Sequence, residues 1–227
     1  MELHPPSSTR EFLQRSLWQY GQATAVDFLH EDKYQKVAKA LKDADLEFQT
    51  VGPPNLQKFQ VLPIELIKNA DLKECVDLFR SEDMSDFLME LAGQKTEMMS
   101  QNCQGPFPDG TKTEIRRWNL GNYKSLQATQ EDDFFLEARF FICENQKTGG
   151  GSSISLSGIE QEPKPNTLHV MLRDQSYVQY VNSSGSEFHD ICLTLNKEED
   201  QEFSQNSDSS EEDDDEDDPS QWTSFLP

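Results

Sequence analysis

The sequence has few basic side chains. Its 227 residues include 20 lysines and arginines against 42 aspartates and glutamates, for a formal net charge of −22. Binding to nucleic acid or to an anionic membrane needs clustered lysine and arginine, so this balance argues against both partners. Residues 198–218 carry 13 of the acidic residues and no basic one, whereas residues 1–197 carry the other 29 with all 20 basic residues. The charge excess therefore lies mainly at the C-terminal end.

Cysteines and long apolar runs are also scarce. The four cysteines, at positions 75, 103, 143 and 192, form no C-x-x-C pair. This spacing predicts reduced, packed thiols and argues against a disulfide framework or a zinc site. The N-terminal stretch "MELHPPSSTREF" has no apolar core of a signal peptide, and no run approaches the ~18 apolar residues of a membrane span. We expect a cytoplasmic or nuclear protein, or one present in both compartments, without membrane contact.

Motifs of common enzyme classes are absent from the sequence. The stretch "KTGGGSS" does not match the phosphate-binding pattern GxxxxGK[ST], and no Gly-x-Ser-x-Gly nucleophile motif occurs. An iron oxygenase built on a β-barrel needs His-x-Asp/Glu on one strand, a distant His on another and a basic residue beyond it. The chain has only four histidines, at positions 4, 30, 169 and 189.

The hydrophobic pattern has two parts. A content of 34% hydrophobic residues suffices for one sizeable core. Leu13, Leu17 and Tyr20 share one helical stripe, "DKYQKVAKAL" is amphipathic, and further helices are predicted over about residues 64–80 and after "SEDMSD". After the loop at residues 100–113 the period changes to two. In "DFFLEARFFICE", one face carries Leu136, Ala138, Phe140 and Ile142, and the other face should also be partly covered.

This order of elements predicts an α+β fold in which N-terminal helices pack on a double-stranded β-helix (jelly-roll) core. We divide the chain into a disordered lead at residues 1–10, a single jelly-roll domain at residues 11–197 and a disordered acidic tail at residues 198–227. The tail ends in "WTSFLP", an aromatic and apolar stretch.

No histidine fits an iron site in the sequence. The sole His-x-Asp, His30-Glu31-Asp32, stands where the amphipathic helix begins and is interpreted as a helix N-terminus. His169 and His189 have no carboxylate two positions later, and Lys197 is the only basic residue beyond His189. In the ribbon "NTLHVMLRDQSYVQYV", Leu168, Val170 and Leu172 form the apolar face. We expect His169, with Met171 and Arg173, at the surface or a pocket rim, and predict no catalytic, cofactor-binding or metal-binding residue.

Six ordered segments carry a family resemblance. "FLHEDKYQKVAKAL", "VGPPN", "LKECVDLFRSE", "EIRRWNLGNYKSL", "PNTLHVMLRDQSYVQYV" and "EFHDICLTL" resemble the C-terminal domain of the 2-oxoglutarate- and iron-dependent ribosomal prolyl 3-hydroxylases. The resemblance, over about residues 11–196, implies a barrel that lacks iron ligands and binds substrates or partners. It also implies that Fe(II), 2-oxoglutarate and ascorbate belong to an N-terminal catalytic domain, which does not precede this match. A short paralogue, an isoform or a truncated gene model would each account for that.

Three functions remain open. The first is a non-catalytic domain that binds proteins, such as a basic small-subunit ribosomal protein, in translation control. The second is an active or fragmentary prolyl dioxygenase, and the third is an acidic chaperone for ribosomal proteins or histones. Ser207, Ser209 and Ser210 lie within the acidic run and are candidate phosphorylation sites for an acid-directed kinase. The oligomeric state is left open.

Overall fold

A computed structural model describes residues 7–42, 45–93, 112–124, 134–143, 152–155, 160–172, 177–180 and 187–196. The acidic tail, its three candidate serines and Cys103 lie outside these ranges. The described part contains four α-helices and one 3-10 turn at Ile64–Leu66, the helices being α1 (Ser7–Tyr20), α2 (Glu31–Ala40), α3 (Ala70–Phe79) and α4 (Glu82–Ala92). The strands are β1 (Gln22–Ala25), β2 (Gln49–Val51), β3 (Gln57–Leu62), β4 (Lys112–Trp118), β5 (Tyr123–Lys124), β6 (Phe134–Ile142), β7 (Ser152–Ser155), β8 (Glu160–Gln161), β9 (Thr167–Leu172), β10 (Tyr177–Tyr180) and β11 (Phe188–Asn196).

Local capping sets the helix bounds. The Asn69 side chain accepts a hydrogen bond from the Leu72 amide at 3.0 Å, so α3 begins at Ala70 rather than near residue 64 as predicted. Ser81 caps α4 by accepting from the Met84 amide at 3.3 Å. Helix α1 begins at Ser7, inside the segment predicted as a disordered lead. Helix α2 begins at Glu31 with His30 as its N-cap residue, which confirms the interpretation of His30-Glu31-Asp32 as a helix N-terminus.

The strands form one curled antiparallel sheet. Its order is β1-β9-β6-β11-β4-β3-β5-β10-β7-β8, and β2 pairs with β3. Strand β3 bends between two partners, because residues 60–62 pair with β4 whereas residues 57–58 pair with β5. The first half of the sheet therefore comprises β1, β9, β6, β11 and β4. The second half comprises β5, β10, β7 and β8, and β3 connects the two halves. From β4 to β11, successive strands alternate between the halves except for β7 and β8, which pair with each other in the second half, and this is the connectivity of a jelly-roll.

The first half of the sheet carries the apolar core on one face. Leu136, Ala138, Phe140 and Ile142, predicted to share a face of β6, all belong to this core. The Phe140 ring lies 5.7 Å from the rings of Phe28 and Phe79. The sequence did not predict β1, β2 and β3, which are set among the helices, and β1 and β2 have only four and three residues. Tyr20 differs from expectation too: Leu13 and Leu17 are buried, but Tyr20 is 52% exposed.

The described helices include none that is long and apolar enough to cross a membrane.

Replacing Phe140 with alanine should destabilise the domain strongly. The side chain is fully buried, and loss of a buried phenylalanine costs about 3–5 kcal/mol through lost burial and the cavity it leaves. Urea unfolding should show this loss in the free energy of unfolding. Leu120→Ala is the control, because Leu120 is 62% exposed, and its curve should overlay that of the parent. An unchanged midpoint for Phe140→Ala would show that this ring does not hold the core.

Candidate functional site

The second face of the first half-sheet is charged, although it points into the curled interior. Side chains alternate between the two faces of a strand, so the neighbours of the apolar core residues face inward. The inward-facing charged or titratable residues with less than a tenth of their surface exposed are Arg116 on β4, Glu137 and Arg139 on β6, His169 on β9 and Asp190 on β11. An aromatic cluster of Phe59, Trp118, Phe141 and Phe188, with Cys143, surrounds them.

The central contact joins Arg139 to Asp190. Both side chains have 0% exposure. The Arg139 Nε donates to Asp190 Oδ2 at 2.6 Å, and Nη2 donates to the same oxygen. The Trp118 indole donates from Nε1 to the second oxygen, Oδ1, at 3.2 Å. The Arg139 guanidinium also lies 4.9 Å from the centre of the Phe141 ring. A buried charge is stable only when it is paired and hydrogen-bonded in this way.

Three further ion pairs lie in the same interior. Glu137 Oε1 lies 3.7 Å from Arg139 Nε, and its other oxygen lies 3.8 Å from Lys124 Nζ, which β5 contributes from the second half-sheet. Glu114 accepts from Arg116 Nε at 3.0 Å. The described interior thus contains three cations, at positions 116, 124 and 139, and three carboxylates, at positions 114, 137 and 190. Their charges cancel.

The pKa values of two members reflect these pairs. Burial raises the pKa of the Glu114 carboxyl, but the Arg116 and Lys112 charges outweigh it and leave the pKa below its usual value. Burial lowers the pKa of Lys124 below its usual value, and the Glu137 carboxylate opposes that shift. Both effects show that the interior is poorly solvated and that the pairs compensate for it.

The prediction for His169 was wrong. Its side chain is fully buried rather than at the surface or a pocket rim, and so is that of its neighbour Met171. The ring stacks on Phe141 at 6.5 Å, and its Nε2 lies 3.3 Å from Gln22 Oε1. Strand β1 pairs with β9 and contributes Gln22. Because β1 was not recognised in the sequence, nothing indicated that this edge of the ribbon is covered.

The described histidines occupy three separate places. His189 lies on the opposite face of the sheet from His169 and packs on Phe48 at 5.6 Å. His30 is exposed at the start of α2. Within the described residues, no three His, Cys, Asp or Glu side chains lie close enough together to hold a metal ion. The arrangement therefore does not fit an iron centre, since its histidines cannot share one ion.

A 2-oxoglutarate dianion would find little uncompensated positive charge in the described interior. It would need cations that lack a counter-charge, whereas each interior cation already faces a carboxylate. Cys75, Cys143 and Cys192 are free and buried, which confirms the prediction of packed thiols for these three. Sequence reasoning missed the ion network itself. Its signal was present in the alternation. Glu114 and Arg116, and likewise Glu137 and Arg139, stand two residues apart, and on β6 the opposite face is wholly apolar.

Comparison with solved structures defines the class of fold. A prolyl-4-hydroxylase from Pseudomonas putida superposes with a TM-score of 0.62 at 14% identity, covering 84% of this chain and 100% of that one. A 2OG-Fe(II) oxygenase-family oxidoreductase from Burkholderia pseudomallei superposes with a TM-score of 0.58 at 12% identity, covering 84% and 92%. The fold is that of the 2OG-Fe(II) oxygenases.

Curated sequences narrow the relationship. Mouse prolyl 3-hydroxylase OGFOD1 is 30% identical over 138 residues, which are 61% of this chain and 23% of the mouse protein. Prolyl 3-hydroxylase OGFOD1 of Xenopus laevis is 22% identical over 187 residues, 68% of this chain and 36% of that protein. No protein-family model matches. The chain is thus related to the prolyl 3-hydroxylases, and the matches span about a quarter to a third of the length of these relatives.

Removing the charge of Asp190 should destabilise the barrel. Asp190→Asn keeps the shape and an acceptor for Trp118, but it removes the negative charge that compensates Arg139, whose two donors both reach Oδ2. Breaking one partner of a buried pair costs about 3–5 kcal/mol. The double variant Arg139→Met/Asp190→Asn removes both charges and should recover most of the loss. Thermal and urea unfolding measure both variants. If Asp190→Asn were as stable as the parent, the pair would not hold the interior together.

Acid should weaken the fold through its two buried histidines. Burial and the Arg139 charge lower the pKa of His169 to about 3, and burial with Arg117 and Lys42 lowers the pKa of His189 to about 4, against 6.5 in an unfolded chain. Below 6.5 the unfolded chain therefore binds protons that the native chain does not. For each histidine the free energy of unfolding should fall by about 1.4 kcal/mol per pH unit. The contribution of His189 should end near pH 4 and that of His169 near pH 3.

Urea unfolding at several values between about pH 5 and 6.5, above the main carboxylate range, checks this dependence. His169→Gln should reduce the slope by the share of one histidine, whereas His30→Gln, a substitution at an exposed position, serves as the control. A slope that is the same in the parent and in His169→Gln would contradict the assignment of His169 as a neutral interior residue.

Proposed function

We propose that this chain is a non-catalytic double-stranded β-helix domain of the prolyl 3-hydroxylase type, whose function is to bind proteins. The observation that supports the proposal is the ion network that fills the described interior. Arg116, Lys124 and Arg139 are each matched by a carboxylate of the chain itself. The interior therefore serves to stabilise the fold.

The electrostatics give the proposal its physical basis. A dianion that entered this interior would leave two negative charges uncompensated where solvation is poor, at a cost of several kcal/mol per charge. Displacing Asp190 or Glu137 from Arg139 would offset that cost only by disrupting the pairs that stabilise the barrel. An intact network of ion pairs and a bound dianion therefore exclude each other in this interior. The retained fold then acts through its outer surface.

The acidic tail indicates the kind of partner. Residues 198–218 carry 13 carboxylates and no basic residue, which favours a basic protein such as a small-subunit ribosomal protein. A role in translation control, in the cytoplasm or nucleus, would follow from that partner. The same charge supports the related proposal of an acidic chaperone for ribosomal proteins or histones, in which the tail alone is sufficient for binding.

A second candidate function rests on the relatives. The mouse and Xenopus laevis proteins are named as prolyl 3-hydroxylases, and this chain matches only part of each. If the chain acts beside a catalytic domain, it serves as part of a peptidyl-proline dioxygenase that uses Fe(II), 2-oxoglutarate and ascorbate. The two proposals differ in whether this chain alone binds the metal and its co-substrate.

Titration with Fe(II) and 2-oxoglutarate separates these functions. Under anaerobic conditions, calorimetry on the full chain should give no binding in the micromolar range. His169→Ala and His189→Ala should have the same metal content as the parent, because these side chains lie on opposite faces of the sheet. Micromolar affinity for both ligands, or loss of stoichiometric iron in either variant, would overturn the non-catalytic assignment.

Recruitment of a basic partner by the tail is tested by association rates. A lysine- and arginine-rich peptide from a small-subunit ribosomal protein is the probe, and its association rate with the full chain should fall steeply as salt rises. A chain that ends at Lys197 should bind slowly with little salt dependence. A matched control keeps the length and replaces the acidic residues of 208–218 with Asn and Gln. Equal rates and slopes for the three proteins would leave the tail without a role in recruitment.

Phosphorylation should strengthen that recruitment. Each phosphate at Ser207, Ser209 or Ser210 adds about −1.5 to −2 charges to the run. The phosphorylated full chain should therefore associate faster than the parent at low salt, and the difference should vanish at high salt.

A further inference from the structure

Helix α1 exposes three aromatic side chains. Phe12 is 64%, Trp18 is 63% and Tyr20 is 52% exposed, whereas Leu13 and Leu17 on the same helix are buried in the core. The Trp18 indole lies against Gly93, which ends α4. Single exposed apolar residues are ordinary on protein surfaces. Phe12 and Tyr20 lie outside both the buried face and this contact, and together they offer an apolar surface to an occupant.

The two rings lie along one line of the helix. Residues 12, 16 and 20 are spaced four apart, so they follow one another on the same side. At 1.5 Å per residue, the Cα atoms of Phe12 and Tyr20 are about 12 Å apart. Ser16 lies between them and is partly exposed. We call these three residues, a small side chain between two large ones, the α1 stripe.

The chain itself ends in a segment with matching chemistry. The last residues, "WTSFLP", place Trp222, Phe225 and Leu226 directly after a run that is nearly all acidic, serine or glutamine. In an extended conformation, Trp222 and Phe225 stand about 10 Å apart. That spacing is close to the separation of the two rings of the α1 stripe. Solubility does not account for an aromatic end, because the acidic residues already supply it.

The topology brings the start of the tail to the end of the strands that lies near the C-terminal end of α1. Leu195 near the end of β11 pairs with Leu136, and Leu136 pairs with Leu172. The Leu172 amide donates to the carbonyl of Gly21, the residue after Tyr20, at 2.9 Å. Each step is one strand spacing, so the tail starts about 15 Å from the C-terminal end of α1. The 25 residues between Asn196 and Trp222 span about 25–30 Å as a flexible chain.

We propose that residues 222–226 dock on the α1 stripe of the same molecule, with aromatic side chains against Phe12, Ser16 and Tyr20. The acidic run of residues 198–218 is then a loop fixed at both ends beside the barrel. A loop held in this way presents its carboxylates at one place on the surface. This inference concerns the position of the tail and does not require the proposed function to be correct.

Site-specific photocrosslinking tests the contact in the full chain. Phe12 is replaced by p-benzoylphenylalanine, the protein is irradiated, and the linked peptides are identified by mass spectrometry. Crosslinks should join residue 12 to residues 221–227. The same replacement of Leu120, which is 62% exposed on the turn between β4 and β5, is the matched control and should give at least tenfold fewer of these crosslinks. Mixing ¹⁴N- and ¹⁵N-labelled chains distinguishes a contact within one molecule from docking of a second copy, which would overturn the proposal.

A binding measurement checks the chemistry independently. A chain that ends at Ser220 is titrated with a fluorescently labelled peptide of residues 220–227. Phe12→Ala/Tyr20→Ala should weaken peptide binding at least tenfold, and Leu120→Ala should leave it unchanged. Because both substituted side chains are more than half exposed, the melting temperature of the double variant should equal that of the parent, which excludes unfolding as the cause. Equal affinity for the parent and the double variant would overturn the proposal, as would peptide that does not bind.

Discussion

The buried pair of Arg139 and Asp190 is the contact on which the interior depends. Taking both charges out of water costs several kcal/mol each, and only saturated hydrogen bonds make that cost tolerable. Two donors of Arg139 on β6 and the indole of Trp118 on β4 supply them to Asp190, which lies on β11 between these two strands. In the register between β6 and β11, Arg139 stands opposite Cys192, so its guanidinium reaches diagonally to Asp190. If this register shifted by one residue, the side chain of Arg139 or of Asp190 would turn toward the apolar face that packs against the helices. The pair therefore also helps to select the register.

The first half-sheet separates two environments across the thickness of one layer. One face joins the large apolar core in which Phe140 contacts Phe28 and Phe79. The other face carries charges within an aromatic cluster, where Lys124 from the second half-sheet completes the balance. Water is excluded from both sides, but for different reasons: burial of apolar area stabilises the first, and mutual compensation of charge stabilises the second. The described part of the chain thus has an oxygenase fold in which the first half-sheet turns paired charges toward the curled interior.

This division clarifies the relationship to the prolyl 3-hydroxylases. The fold and the sequence relationship concern architecture and descent, and function belongs to the residues placed on them. In the described part of this chain, those residues are arranged around internal ion pairs, with His169 and His189 on opposite faces of the sheet. The outer surface and the acidic C-terminal segment are then the parts through which the chain is proposed to act.

The sequence alone determined the periodic features. The change from helical to alternating patterns, the apolar face of β6 and the start of α2 directly after His30 all follow from local spacing, and the structure confirms them. Local spacing could not identify β1, β2 and β3, because these strands form only when a neighbouring strand supplies their hydrogen bonds. The burial of His169 was missed for the same reason, since β1 covers it. Which charges neutralise one another was decided by the tertiary structure, because Arg139 and Asp190 are 51 residues apart in the chain and only the pairing of β6 with β11 brings them together.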